Sequence, residues 1–273
     1  MHRSRDHIIN IEKIRVTLKA TVYVGDKLNA KFVTGVYASD LMSDVLAYGK
    51  AGSLLLTGLN TVQAAVSAYV AEFKGILLLR SKVPEADILE FAVDKHLLVL
   101  STEDDMFEAC VKIAGIESEI PVAEAIAEPA KKSDNITTHT FTIGGQDFAN
   151  AGMVSTQVKT ILKSIGYDPQ LVRRVAISTY EAEMNVVMHA KRGHVILTAS
   201  DKEIEIIIND EGKGIKDIDL AMTEGYSTAT EEQRAMGFGA GMGLPNIKKN
   251  SDKLKIKSEV NKGTSIETIF YVK

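Results

Sequence analysis

The sequence predicts two domains of different class, an α/β domain followed by an α+β two-layer sandwich. Three observations predict this. The chain has 273 residues, more than one ordinary domain needs. Before residue 116, short apolar runs alternate with helix-length amphipathic segments, the pattern of a largely parallel sheet. After residue 137, helices come together and strands come in pairs, the pattern of helices on one side of a mostly antiparallel sheet. Residues 1–115 are therefore expected to form the α/β domain, 116–137 a linker, and 138–273 the sandwich.

In the first domain, Ile8–Leu18 reads as helical and Val33–Ala38 as extended. Ser39–Tyr48 reads as a helix capped by Ser39 or Asp40, with Asp40 and Asp44 on one face. That segment is either a ligand or partner contact at a strand end or plain capping with a solvated face. Strands follow at Ser53–Thr57, Gly75–Leu79 and Leu97–Leu100, and helices at Thr61–Phe73, Glu85–Lys95 and Glu103–Gly115. The linker stretch holds five acids, two lysines and both Pro121 and Pro129, with no aromatic residue and no sustained periodicity. In the second domain, Thr138–Ile143 reads as a strand, and Met153–Ile165 and Pro169–Ala190 as helices. His194–Ala199 and Glu203–Asn209 form a hairpin turning at Ser200–Lys202. A helix near Pro245–Asn250 precedes closing strands at Lys253–Glu259 and Ser265–Val272.

Composition narrows the function classes. Apolar residues make up 45% and charged residues 25%, which excludes wholesale disorder and a small disulfide scaffold. The net charge of −4 gives no reason to expect nucleic acid or an anionic membrane as partner. The single cysteine, Cys110, allows no intrachain disulfide, and six scattered histidines offer no ligand spacing, so a redox or metal function has no support. No apolar run approaches the ~20 residues of a membrane span, and the charged start lacks a signal-peptide core. A cytoplasmic location is the expectation.

Three clusters in the second domain carry chemistry. On the long helix, Glu181, Asn185 and His189 are spaced i, i+4, i+8 and share a face, apart from the stripe of Leu171, Val175, Ala182 and Val186. An Asn oxygen can ligate Mg²⁺, and a Glu can take a proton from an attacking hydroxyl; a solvated polar face is the plain alternative. Glu183, two residues on, faces another way and is expected to be structural or solvent-facing. Next, Asp210-Glu211-Gly212-Lys213-Gly214 leaves a strand. The Asp can accept from an exocyclic amine such as adenine offers; a simple turn is the alternative. Last, Gly237, Gly239, Gly241 and Gly243 alternate just ahead of a helix. Backbone N–H groups can converge on phosphate there, or the run is a flexible loop. No G-x-x-x-x-G-K-[ST] occurs, and no βαβ unit surrounds the glycines, which disfavours a P-loop or dinucleotide fold.

Taken in order, E-x-x-x-N, D-x-G-x-G, a lid-like segment, G-x-G-x-G and K-G-T resemble the GHKL ATPase superfamily. Residues 138–273 are similar to the anti-sigma-factor serine kinases and their switch-kinase relatives, with Glu224–Ala229 and Gly237–Lys248 matching best. The resemblance implies the histidine-kinase-like Bergerat fold, ATP and Mg²⁺ as ligands, Asn185 as the Mg²⁺ holder and Glu181 as base. It places Asp210 and Gly214 at the adenine, backed by Thr264, and Gly239, Gly241 and Gly243 at the phosphates, with Gly212, Gly237 and Leu244 also in the nucleotide site. Histidine sensor kinases carry a helical hairpin with the acceptor His before this unit. Here an α/β domain stands in that place, and His189 lies within the nucleotide-site helix itself, so it is not expected to be a phosphoacceptor. Residues 20–115 are similar to the DRTGG domain through Val33–Leu46, the apolar strands and Leu97–Glu108, although the name motif is reduced to Lys31-Phe32-Val33-Thr34-Gly35. That family implies regulation or homodimer formation. The expected function is an ATP-dependent serine/threonine protein kinase acting on a partner protein, substrate or antagonist. The alternative is a nucleotide-gated binding switch that transfers no phosphate.

Overall fold

The computed structural model describes residues 8–25, 32–116, 136–235 and 239–272, and the side chains of 232 and 235 stand outside this description. Most of the expected linker, together with Lys31 and Gly237, lies outside the described residues. The chain divides into two compact units, Met1–Ile126 and Ala127–Lys273. No helix among the described residues is long and apolar enough to cross a membrane.

In chain order the first unit comprises β1 (Ile9–Asn10), α1 (Ile11–Thr17), β2 (Thr21–Val24), β3 (Phe32–Val33), β4 (Val36–Ala38), α2 (Met42–Tyr48) and β5 (Leu54–Thr57). It continues with α3 (Val62–Val70), β6 (Gly75–Leu78), α4 (Ala86–Lys95), β7 (Leu98–Ser101) and α5 (Met106–Ala114). The main sheet runs β2-β7-β6-β5-β4. Its last four strands are parallel, and β2 pairs antiparallel with β7. Strands β5, β6 and β7 are buried at every position, as a parallel sheet covered on both faces requires. One face, carrying Leu54, Leu56, Leu77 and Leu100, packs against Ile14 and Leu18 around α1 and against Ala109 and Ile113 of α5. Each such fully buried leucine or isoleucine stabilises the fold by roughly 1.5–3 kcal/mol. Leu55, Ile76, Leu78 and Val99 fill the opposite face. Helix α5 starts on a capping box in which Asp105 accepts from Glu108 N at 2.9 Å and Glu108 accepts from Asp105 N at 3.3 Å.

Several boundaries differ from the sequence reading, each for a local reason. The helix expected from Ile8 starts at Ile11, because Asn10 is extended and caps Glu12 N at 2.8 Å. The extended stretch is broken into β3 and β4 at Thr34–Gly35. Strand β2, short and half-exposed, gave no apolar run to find. The largest correction concerns Asp40. Helix α2 begins at Met42 with Leu41 as its N-cap, so neither Ser39 nor Asp40 caps it, and Asp40 shares no helix face with Asp44. The Asp40 carboxylate accepts instead from Thr57 Oγ1 at 2.8 Å and from Gly58 N at 2.6 Å, tying the end of β4 to that of β5. Asp40→Ala is expected to cost about 1 kcal/mol. Hydrogen-exchange protection of the β5 amides should fall about fivefold, and unchanged protection would refute the tie.

The second unit comprises β8 (Thr137–Gly144), α6 (Met153–Ile165), α7 (Pro169–His189), β9 (Ala190–Ala199), β10 (Glu203–Gly212) and α8 (Ile218–Ala221). It ends with α9 (Glu231–Ala235), α10 (Gly243–Asn250), β11 (Lys253–Glu259) and β12 (Gly263–Tyr271). The sheet runs β11-β12-β10-β9-β8 with every pair antiparallel. Alternating residues Val195, Leu197, Ile204, Ile206, Ile208 and Phe270 make its buried face. Helix α7 starts with Pro169 at its first turn and Asp168 accepting from Gln170 N and Leu171 N at 2.9 and 3.1 Å. It touches α6, α10 and the sheet, and is therefore buried through most of its length. Arg174 of α7 reaches Asn250 O at 2.8 Å and Asp252 Oδ1 at 2.9 Å, holding the end of α10 against it. The short helices α8 and α9 lie in the segment read as lid-like and carried no periodic signal.

Candidate functional site

Helix α7 and the start of α10 build one end of the site. Glu181 is buried at 6% exposure, so it is not part of a solvated polar face. Its Oε1 accepts from Asn246 Nδ2 of α10 at 2.6 Å. A Cβ placed on Gly243, the first residue of α10, would stand 3.5 Å from both Glu181 Oε2 and Asn185 Oδ1. A carboxylate, a carboxamide oxygen and a helix N-terminus thus surround a space that any side chain at 243 would enter. Burial pushes the Glu181 carboxyl up to about 7, and the Asn246 bond only partly opposes it. Near neutrality the group therefore exchanges a proton readily.

The glycine run enters α10 along the segment before it. Gly241 has φ +72°, and a Cβ there would fall 2.4 Å from Gly225 C. Gly225 N donates to Gly241 O at 3.1 Å. A Cβ on Gly239 would lie 2.3 Å from Ala229 Cβ. The two segments that stood out in the sequence, 224–229 and 239–243, are thus packed on one another with no room for a side chain at Gly239 or Gly241. Leu244 is buried under the run at 8% exposure.

The other end sits where β10 leaves the sheet. Half-buried Asp210 accepts from Gly212 N at 2.8 Å and from both the backbone and the side chain of Thr264. Burial raises its carboxyl above the usual Asp range against those bonds. Thr264 Oγ1 meets Ser258 Oγ at 2.9 Å, and Ile215 N donates to Ser258 Oγ at 2.7 Å. A Cβ on Gly212 would collide with Asp210 Oδ1 at 2.8 Å, and one on Gly214, at φ +69°, with Glu259 O at 2.2 Å. The two ends are linked by α7, whose His189 O lies 3.0 Å from the Cβ place of Gly212. His189 is eight residues beyond Glu181, about 12 Å along the helix axis. Burial, aided by the Lys213 charge, lowers its imidazole below the usual range.

Among the described residues, all the expected site positions fall into these two groups. Two contributors were missed. Asn246 had a signal, as a polar residue between Leu244 and Ile247. Ser258 had one too, because it continues the inward phase of Leu254 and Ile256 between outward lysines. Glu183 is structural and not solvent-facing, at 1% exposure, and accepts the N–H groups of Gly152, Val154 and Ser155 at the start of α6. An open cavity among β8, α6 and α7, lined by Phe141, Asp147, Met153 and Glu183, includes none of the expected site residues.

The residues fit an Mg-nucleotide by their donor chemistry. No group of three His, Cys, Asp or Glu side chains able to hold a metal exists among the described residues. An ion beside Asn185 would thus take its remaining ligands from phosphate and water, as Mg²⁺ commonly does.

Residues 173–273 match the family of histidine kinase-, DNA gyrase B- and HSP90-like ATPases. The chain is 27% identical over 119 residues to the serine/threonine-protein kinase RsbT of Bacillus subtilis, covering 42% of this chain and 84% of that protein. It is 35% identical over 112 residues to the anti-sigma F factor of Caldanaerobacter subterraneus, covering 38% of this chain and 75% of that protein. A solved structure of the CBS and DRTGG domains of the regulatory region of Clostridium perfringens pyrophosphatase, complexed with diadenosine tetraphosphate, is 17% identical with a TM-score of 0.35. That likeness covers 42% of this chain and 53% of that one.

Proposed function

From the premise that the chain belongs, through its second unit, to the anti-sigma-factor branch of the histidine kinase-, DNA gyrase B- and HSP90-like ATPases, we propose that it is an ATP-dependent serine/threonine kinase acting on a partner protein. The observation that carries the reading is the facing of Glu181 and Asn185 on Gly243 at the start of α10. Asp210, with Thr264 behind it, would accept the adenine amine. The backbone around Gly239, Gly241 and Gly243 would receive the phosphates at the N-terminus of α10. Asn185 Oδ1 would hold Mg²⁺, which when bound neutralises charge on the triphosphate. Glu181 Oε2 would take the proton of a Ser or Thr hydroxyl as its oxygen bonds to the terminal phosphorus. The bond from that phosphorus to the bridging oxygen breaks, and ADP leaves with the electron pair. Positioning and charge stabilisation would supply most of the acceleration.

The resemblance of residues 20–115 to the DRTGG domain supports a sensing or dimerising part for the first unit. A cytoplasmic setting accords with the reducing chemistry of a lone thiol. The test is mass spectrometry of co-purified proteins after Mg-ATP is added to the full chain. A partner newly phosphorylated on Ser or Thr is expected. Nucleotide-dependent partner binding without phosphate transfer would replace the kinase with the binding-switch reading. Asp210→Ala is expected to weaken ADP binding about 10–100-fold in calorimetry, since the buried base would lose its acceptor. Undiminished affinity would remove Asp210 from the adenine site.

A further inference from the structure

We propose that Asn246 is a positioning residue for the base: its side-chain amide fixes Glu181 Oε1 and so turns Oε2 toward the first residue of α10. The inference rests on the reading of Glu181 as base and deepens it. Asn246 is 0% exposed and donates to Glu181 Oε1 at 2.6 Å. Oε2 is the oxygen left beside Gly243, 3.5 Å from where a Cβ would stand. The terminal torsion of a glutamate is broad, so an unanchored carboxyl would sample a wide range of planes. One anchored oxygen removes that freedom and leaves the other to react.

The residue type suits the task. A Lys or Arg in this place would form an ion pair and weaken the base, and an Asp would compete for its proton. A neutral amide donates without either effect. Burial and the Asn246 bond are the only influences resolved on Glu181, with no charge effect from any side chain among the described residues. The anchor is itself held. Asn246 lies three residues after Gly243 on α10, one turn below it. Asn250 Nδ2 donates to Asn246 O at 2.9 Å, and Arg174 binds Asn250 O at 2.8 Å. The base and the glycine run are thus registered through one short helix, so a displaced α10 would misplace both.

The test uses the full chain with Asn246→Leu and the isosteric Asn246→Asp, which keeps the test valid if the leucine variant does not fold. Carboxyl-carbon NMR titration reads Glu181 directly, with its signal assigned by its loss in Glu181→Gln. The Glu181 midpoint is expected to rise by about one pH unit in Asn246→Leu and further in Asn246→Asp. Phosphate release from Mg-ATP should lose about tenfold near pH 6 in the leucine variant and recover above about pH 8, with ADP affinity held within about twofold. A purely structural Asn would lower the rate equally at all pH values. An unmoved midpoint in both variants overturns the proposal. Failure of the unmodified chain to bind ADP would instead strike the nucleotide reading, while the titration would still decide the role of Asn246.

Discussion

Glu181→Gln is expected to lower phosphoryl transfer by about 10²–10⁴-fold while Mg-ATP affinity stays within about twofold. Glutamine keeps the shape of the side chain and can still accept from Asn246, but it cannot take a proton. The binding groups, Asn185, Asp210 and the glycine run, are untouched. The unmodified chain should show an acid limb with a midpoint near the raised value of about 7. Single-turnover transfer measured across pH, beside calorimetric binding, separates the two effects. Transfer undiminished in the variant would remove Glu181 as the base.

The same substitution carries a stability effect of known sign. The folded chain holds the Glu181 proton up to about 7, against 4.5 for an ordinary glutamate. Between those values the folded state binds more protons than the unfolded state. Stability from this group is therefore full below the lower value and is lost as pH rises through the upper one. The loss amounts to roughly 3 kcal/mol. Glutamine removes it, so the nucleotide-free variant should melt about 5–10 °C higher near pH 8 and show no gain near pH 4.5. A buried base with no cation beside it among the described residues costs stability, as expected of a group held for chemistry.

Residue types and their spacing revealed more of the site than of its supports. Glycines 239, 241 and 243 were legible because they alternate just ahead of a helix, and at 239 and 241 a side chain would collide with Ala229, Gly225 and Tyr226. Glu181 and Asn185 were legible because helix periodicity places them one turn apart. What periodicity could not tell is what each face meets. Glu181 and Glu183 look alike in the sequence, yet one turns to α10 and the other to α6. In the first unit, strands buried on both faces wrote themselves as continuous apolar runs. Asp40 was misread because a carboxylate beside a helix start has a local rule, capping, that a neighbouring strand end outcompeted. Such tertiary partners leave no mark in a single sequence.

Glu183→Leu is expected to remove most of the stability of the second unit. The N-cap of α6 is Gly152, which has φ +90° and no side chain with which to cap. The first N–H groups of any helix lack intrahelical partners. Here they lie among buried residues and are met by α7. Glu183 Oε1 accepts from Gly152 N and Val154 N, both at 3.0 Å, and Oε2 from Ser155 N at 2.9 Å. Leucine fills the volume but leaves three donors without an acceptor. At about 1–3 kcal/mol for each buried orphan the cost is roughly 3–9 kcal/mol, against about 5–15 kcal/mol for a typical whole domain. Glu183→Gln keeps one accepting oxygen and should cost less, about 1–2 kcal/mol. Because burial pushes Glu183 up to about 7, against 4.5 for an ordinary glutamate, the gap between glutamine and the unmodified chain should narrow as pH rises from the lower value to the upper one and stay constant above it. Hydrogen exchange at the α6 and α7 amides reads the order directly, and a leucine variant as protected as the unmodified chain would refute the cap. The consequence reaches the candidate site, since Glu183 and Glu181 leave α7 about 200° apart. One carboxylate clamps the helix to α6 while the other is presented to α10. Loosening the first clamp should therefore disorder the base even where the fold survives.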